Sequence, residues 1–173
     1  MAISQSLLIN KSASFREPLY ESMRKSASAG KMKSAFLCHS HKDEAIVKGL
    51  VVLFEEAKVD LYIDWKDHTM PDIPSAETAN RIQHKIRTCD IFFFLASLNS
   101  KASRWCPWEI GYADSSKKSI YIISTSDGRD TYGNEYLQLY PRIDEGSTDT
   151  RKALAIFEAG ADKGRWLSLD TLD

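Results

Sequence analysis

Trp105 and Glu109 stand four residues apart in the run SRWCPWEIGYAD, residues 103–114. On an α-helix that spacing places an indole and a carboxylate one above the other on the same face. With Ser103 as the cap, Arg104 to Pro107 form a first turn. Pro107 is tolerated there because its missing N–H would have no partner in that turn. An aromatic wall beside a carboxylate can hold an anion against a developing cation. The same spacing also suits a surface glutamate lying past a core tryptophan, and a lone W-x-x-x-E does not separate the two readings.

Two further stretches carry unusual polar or aromatic density. In CHSHKDE (38–44), Ser40 followed by Asp43 resembles a capping box. Capping accounts for both residues, and the free N–H groups of the helix start would equally hold a phosphate. His39 and His41 bracket that cap, but no carboxylate or cysteine set completes a metal site around them. In DWKDHTMPDIPS (64–75), Asp64 and Trp65 end an apolar run. Pro71 and Pro74 then lie in a connection long enough to be a binding loop. Trp65 either packs against a helix layer or stacks on a flat ligand ring. No GxGxxG or GxxxxGK[ST] run occurs, so ordinary dinucleotide-fold and P-loop chemistry is unsupported.

The elements that must position these residues alternate along the chain. SAFLCH (34–39), DLYIDW (60–65), IFFFLAS (91–97) and SIYIIST (119–125) are short and apolar, rich in aromatic or β-branched residues, and read as buried strands. Between them, Ile46, Leu50, Leu53, Phe54 and Ala57 keep helical spacing, as do Ala79, Ile82 and Ile86, and Trp105, Trp108 and Tyr112. Strands separated by helices imply parallel pairing through right-handed crossovers. The expected fold is therefore α/β, a flavodoxin-like doubly wound parallel sheet of four to five strands. YLQLY (136–140) is expected as a fifth, edge strand, and a last helix over part of 149–162 from Leu154, Phe157 and Ala161. In such a sheet ligands bind beyond the carboxyl ends of the strands, which selects the loops after the first three.

Bulk properties narrow the function classes. The chain has 173 residues, 43% of them hydrophobic and 27% charged, with a net charge of −1. That composition is globular, and no basic field draws the protein to nucleic acid. No apolar run is long enough to cross a membrane. Cys38, Cys89 and Cys106 are odd in number and widely spaced, which favours reduced thiols and a cytoplasmic setting. Residues 1–32 differ from the rest, with three more basic than acidic side chains, and Phe15, Leu19 and Met23 suggest one short amphipathic helix. They are read as a helical extension, either a packing arm or a segment that binds a partner or touches a membrane. Residues 33–173 are read as the domain proper.

Taken together these segments resemble a Toll/interleukin-1 receptor (TIR) domain. SAFLCHSHKDE resembles the family's first box, and LYIDW with KDHTMPDIPSAETANRIQHKI resembles the second strand, the BB-type loop and its helix. CDIFFFLASLNSKASRWCPWEIGYA resembles the third strand and the W-x-x-x-E helix. YGNEYLQLYP further resembles small stand-alone bacterial TIR proteins, including those of Thoeris-type antiphage systems. Cys38 stands where a serine is common.

The resemblance implies an enzyme that breaks the nicotinamide glycosidic bond of NAD. Its product would be an ADP-ribose-derived signal, linear, cyclic or base-exchanged, read by a downstream effector. NAD is then the substrate and no resident cofactor is needed, since nicotinamide is already a cationic leaving group. Glu109 matches the catalytic glutamate and Trp105 its motif partner. His39, Ser40 and Asp43 fall in the first-box loop, Asp64 and Trp65 at the second strand's end, and Ser97 and Ser103 on the ribose-facing rim. Self-association through TIR contacts is implied as well. Two other classes share the pattern: a non-enzymatic TIR interaction module and a nucleoside deoxyribosyltransferase.

Overall fold

The computed structural model describes residues 1–66, 75–148 and 151–172, and of Arg151 and Lys152 the backbone alone. In chain order its elements are β1 (Ile3–Ser4), α1 (Gln5–Lys11), α2 (Glu17–Ser28), β2 (Lys33–Cys38), α3 (Glu44–Glu56), β3 (Leu61–Asp64), α4 (Ala76–Thr88) and β4 (Ile91–Leu95). There follow α5 (Leu98–Ala102), α6 (Cys106–Ser115), β5 (Ser119–Ile123), β6 (Thr125–Ser126), β7 (Arg142–Thr148), β8 (Arg151–Phe157) and β9 (Gly164–Trp166). The BB-type connection expected at 66–75 lies outside the described residues from 67 to 74.

The main sheet runs β3-β2-β4-β5-β7-β8-β9 and is parallel through β7. Counted from β2, the parallel part has the flavodoxin-like strand order, with the chain reversing direction across the sheet between β2 and β4. β4 is apolar along its whole length because both its faces are covered. Phe93 joins Leu37, Leu50 and Phe54 in one core, while Phe92 and Phe94 join Phe36, Ile86 and Ile110 in the other. The α3 stripe of Ile46, Val47, Leu50, Val51 and Phe54 is buried against the first of these. α4 and α6 close the second.

The structure corrects four sequence expectations. The main sheet has seven strands rather than four or five, because β8 and β9 add to it antiparallel. The 151–157 stretch is β8, not part of a helix. Leu154, Ala155 and Ile156 are buried in succession, which a strand covered on both faces allows and a one-faced helix does not. YLQLY is not a strand but a 3-10 turn over Glu135–Leu139. There Leu137 points inward while Tyr136 and Leu139 are exposed, a spacing of three rather than two. Finally, α6 starts at Cys106, two residues later than expected, since Ser103 ends α5.

Residues 1–32 form β1 and two helices instead of one, and they are built into the domain. Ile3 donates its backbone N–H to Ser124 O at 2.8 Å and pairs with Thr125, so β1 and β6 form a small parallel ribbon. Ile3, Leu8 and Tyr20 are buried in the same core as α3. The Tyr20 hydroxyl lies 3.0 Å from that of Tyr62 and donates to Ile63 O at 3.1 Å, fastening α2 to β3. The expected α2 stripe is right in period and partly wrong in phase. Tyr20, Met23 and Ala27 face inward, while Leu19 faces solvent.

Candidate active site

Three segments meet at the carboxyl ends of β2 and β4. The first is the end of β2 itself: Cys38, His39 and Ser40. Ser40 Oγ accepts the Lys42 N–H at 3.4 Å and so caps the 3-10 turn His41–Asp43. The expected capping box is not closed from the other side, because the Asp43 carboxylate turns away across the rim. It accepts hydrogen bonds from Ser97 Oγ and Asn99 Nδ2, both at 2.6 Å. Ser97 in turn caps α5 by accepting the Ser100 N–H at 3.0 Å. Asp43 is thus a buried tie between the loops after β2 and β4. Replacing it with Ala takes the acceptor from the buried Ser97 hydroxyl and the half-buried Asn99 amide. Asp43→Ala should lower stability by about 2–3 kcal/mol in urea unfolding, with Asp43→Asn milder.

The second segment leads into α6. Ser103 Oγ accepts the N–H groups of Trp105 and Cys106 at 3.2 and 3.3 Å, so this hydroxyl is spent on the helix start. Trp105 occupies the N-cap position, half-buried against the α4–α6 core and edge-on to Trp108 with ring centroids 5.5 Å apart. Glu109 follows in the first turn, its N–H bonded to Trp105 O at 2.9 Å.

Glu109 is 3% exposed, although a glutamate is seldom buried without a cationic partner. Its side-chain hydrogen-bonding partner is the Cys38 thiol, at the end of β2. Cys38 is itself fully buried, with Sγ 3.9 Å from Cys106 O. Burial raises the Cys38 pKa well above its ordinary value, so the thiol stays protonated and can donate. Burial likewise pushes the Glu109 carboxyl up to about 7, and the bond from Cys38 only partly offsets this. A carboxyl at that value gains much from any cation brought against it, because little else compensates its charge.

The third segment is 132–137, in which the sequence marked no candidate site residue. Gly133 at φ 104° and Glu135 at φ 61° bend it over the sheet. Glycine adopts such a backbone freely, whereas a glutamate does so only under local constraint. The bend sets Tyr136, 44% exposed, at the mouth of a recess of about 190 Å³ lined by Phe94, Ser97, Ser100, Pro107 and Tyr136 among others. Phe94 is the direct neighbour of Cys38 across the β2–β4 register, so this recess lies one strand away from the Glu109 contact. The signal available in sequence was the pair Gly133 and Asn134 ahead of the four aromatic or aliphatic residues of YLQLY.

His39, Ser40, Asp43, Ser97, Ser103, Trp105 and Glu109 are therefore gathered at one rim, and Asp64 and Trp65 are placed apart from them. Asp64 sits level with Phe36, two residues short of Cys38, and pairs with Lys85 at 3.0 Å. It lines a different cleft, of about 350 Å³, with Arg24, Tyr62 and Lys85 among others. Trp65 is buried among Phe15, Tyr20 and His39, with centroids 6.2, 5.9 and 6.3 Å away, so the N-terminal helices hold its ring. Of the two roles open to Trp65 in the sequence, packing describes what the structure contains. His39 links it to the rim, with Nδ1 2.9 Å from Leu37 O, and burial lowers the pKa of that imidazole.

A doubly wound sheet with a buried glutamate on α6, the second helix after β4, is the arrangement of a TIR-type α/β domain. The family model described as TIR domain matches residues 35–155, and the chain belongs to that family. Among curated relatives it is 34% identical over 134 residues to a Bacillus cereus (strain MSX-D12) protein provisionally named as the 3′ cyclic ADP-D-ribose synthase ThsB′. That alignment covers 75% of this chain and 69% of the relative. A Cytobacillus dafuensis protein, provisionally named as the cyclic ADP-D-ribose synthase TIR2, is 26% identical over 100 residues, 56% of this chain and 26% of its own length. No helix among the described residues is long and apolar enough to cross a membrane.

Proposed function

We propose that this protein cleaves NAD at the nicotinamide glycosidic bond and closes the ADP-ribose that remains into a cyclic signal for antiphage defence. The buried Glu109 carboxyl at the sheet's carboxyl end carries this reading, and the names of the two relatives support its product. Breaking the bond frees nicotinamide and leaves positive charge spread over the ribose, as in other glycosidic cleavages. Glu109, ionised, stabilises that charge and can accept hydrogen bonds from the ribose hydroxyls. Nicotinamide departs as a neutral base, so neither a resident cofactor nor a second acidic group is required. Trp105 walls the site, and His39, Ser40 and Ser97 form its polar rim, with Asp43 and Ser103 holding that rim in place. Excluding water lets a hydroxyl of the same ligand capture the cation, which favours ring closure over hydrolysis.

The same reading places the protein in the cytoplasm, where NAD is available. It assigns no nucleic-acid or membrane partner, self-association through TIR surfaces, and a downstream effector that receives the product. It also sets a pH profile. Because the free site holds Glu109 at about 7, kcat/KM for NAD should rise close to tenfold per unit below that pH and level off above it. Initial rates from pH 5 to 9 measure this. A profile flat across that range would remove Glu109 ionisation from the reaction.

A further inference from the structure

Cys38 is a buried thiol in contact with the reacting carboxyl, and its strand is held from both sides. β2 pairs with β3 along one edge and with β4 along the other, and Cys38 ends it beside Phe94. Side chains alternate along the strand, so Leu37 enters the first core while Phe36 and Cys38 enter the second, with Phe94 and Ile110. The thiol is thereby aimed at α6, and the ring of His39, next along, turns the other way toward Trp65. Cys38 Sγ lies 3.9 Å from Cys106 O at the first residue of α6. It also reaches the Cys106 thiol and, one turn further on, the Glu109 carboxyl.

The titratable groups around this contact come from three elements. β2 brings Cys38, α6 brings Cys106 beside Glu109 itself, and the 135–139 turn brings Tyr136, which stands near both thiols. Burial keeps the Cys38 thiol and the Tyr136 phenol protonated, so both are neutral partners. A thiol has one hydrogen to give, and here two acceptors compete for it. While Glu109 is protonated, the Cys106 carbonyl competes well. Once Glu109 ionises, the charged acceptor draws the S–H, since hydrogen bonds to ionised groups are the stronger kind. The S–H therefore follows the charge on Glu109. Being a weak donor, it can fix the direction of the carboxylate and leave most of its charge uncompensated. A hydroxyl in the same place would hold that charge more tightly.

We propose that Cys38 is a positioning residue for the glycosidic cleavage, its S–H holding the Glu109 carboxylate in the one orientation from which it faces the ribosyl cation. The proposal rests on the reading of the protein as an NAD-cleaving enzyme. A reacting group is effective only when held within about 0.5 Å of its productive place, and rigid elements hold it better than loops do. Here the holder is the end of a central strand, tied into the sheet on both sides. Cys38 itself acts on Glu109 and not on the substrate.

Two measurements on the full-length protein test it. The first compares pH profiles of NAD cleavage by the parent, Cys38→Ser and Cys38→Ala. Alanine removes the donor, so the carboxyl ionises less readily and the midpoint of kcat/KM should move up by about half a pH unit or more. Serine is the better donor, and its midpoint should move down. On the alkaline plateau Cys38→Ala should lose roughly threefold to tenfold in kcat with KM little changed, and serine should recover most of that loss. A residue that only fills space would leave both midpoints in place. The second measurement needs no substrate: infrared spectroscopy follows the S–H stretching bands of the parent and of Glu109→Gln as pH rises through the Glu109 titration. One band should move to lower frequency in the parent and stay fixed in Glu109→Gln; should neither Cys38 variant fold, this comparison decides alone. Midpoints unmoved in both variants, or S–H bands indifferent to pH in the parent, overturn the positioning role alone. A parent that releases no nicotinamide overturns the NAD-cleaving reading, and the part of Cys38 in it, even where the band titrates.

Discussion

Glu109→Gln should make the protein more stable at pH 8 and at the same time at least a hundredfold slower on NAD. The two effects share a cause. Glu109 titrates at about 7 in the folded chain, against an ordinary value of 4.5, because it is desolvated. Below pH 4.5 both folded and unfolded chains carry the protonated acid and nothing is lost. Between 4.5 and 7 the unfolded chain ionises first, so stability falls as pH rises. Above 7 the loss is complete, at about 3 kcal/mol. Glutamine escapes that loss. Its advantage over the parent should thus grow across the window and be small at pH 4. The activity loss follows because the amide carries no charge to set against the ribosyl cation, a deficit of about 3 kcal/mol or more in barrier. Thermal unfolding at pH 4 and 8, with nicotinamide release measured alongside, checks both halves. Equal pH dependence in the two proteins would mean that Glu109 is not the buried acid described here.

Gly49→Ala tests the other large claim, that residues 1–32 are part of the domain. An alanine Cβ at Gly49 would lie 1.8 Å from the backbone oxygen of Leu8, so α1 must move bodily away from α3. Intrinsic helix propensity favours Ala over Gly by about 1 kcal/mol, which makes the sign of the result informative. The clash should override it and give a net loss of about 3 kcal/mol, with faster amide exchange in α1. A stabilised Gly49→Ala protein would show that α1 does not dock on α3.

The parallel core was legible because its signals are local. IFFFL reads as a strand covered on both sides, and the α3 apolar residues fall on one stripe. The last third was not, because Leu154, Phe157 and Ala161 satisfy helical spacing while Leu154, Ala155 and Ile156 are buried in succession. β7 hid for a related reason: Asp144 and Gly146 interrupt an apolar pattern, the glycine because a Cβ there would meet Ala155 Cβ at 2.9 Å across the ladder. At the site, spacing identified Trp105 and Glu109 but could not separate a surface glutamate from a buried one; the 3% exposure does. Nothing local connects Asp43 to Asn99 or Cys38 to Glu109. Those contacts come from strand order, which brings the ends of β2 and β4 together. Ser40 was rightly read as a cap, whereas Ser103 ends α5 and Trp105 takes the N-cap position of α6, with the Ser103 hydroxyl accepting the N–H groups just ahead of that helix.

The central claim is that this chain splits NAD at the nicotinamide bond with Glu109 beside the ribose. Mass spectrometry of NAD incubated with the purified parent and with Glu109→Gln tests it most directly. The parent should release nicotinamide together with a species one water lighter than ADP-ribose, and the variant should leave NAD essentially intact. Nicotinamide released at the same rate by both proteins would contradict it.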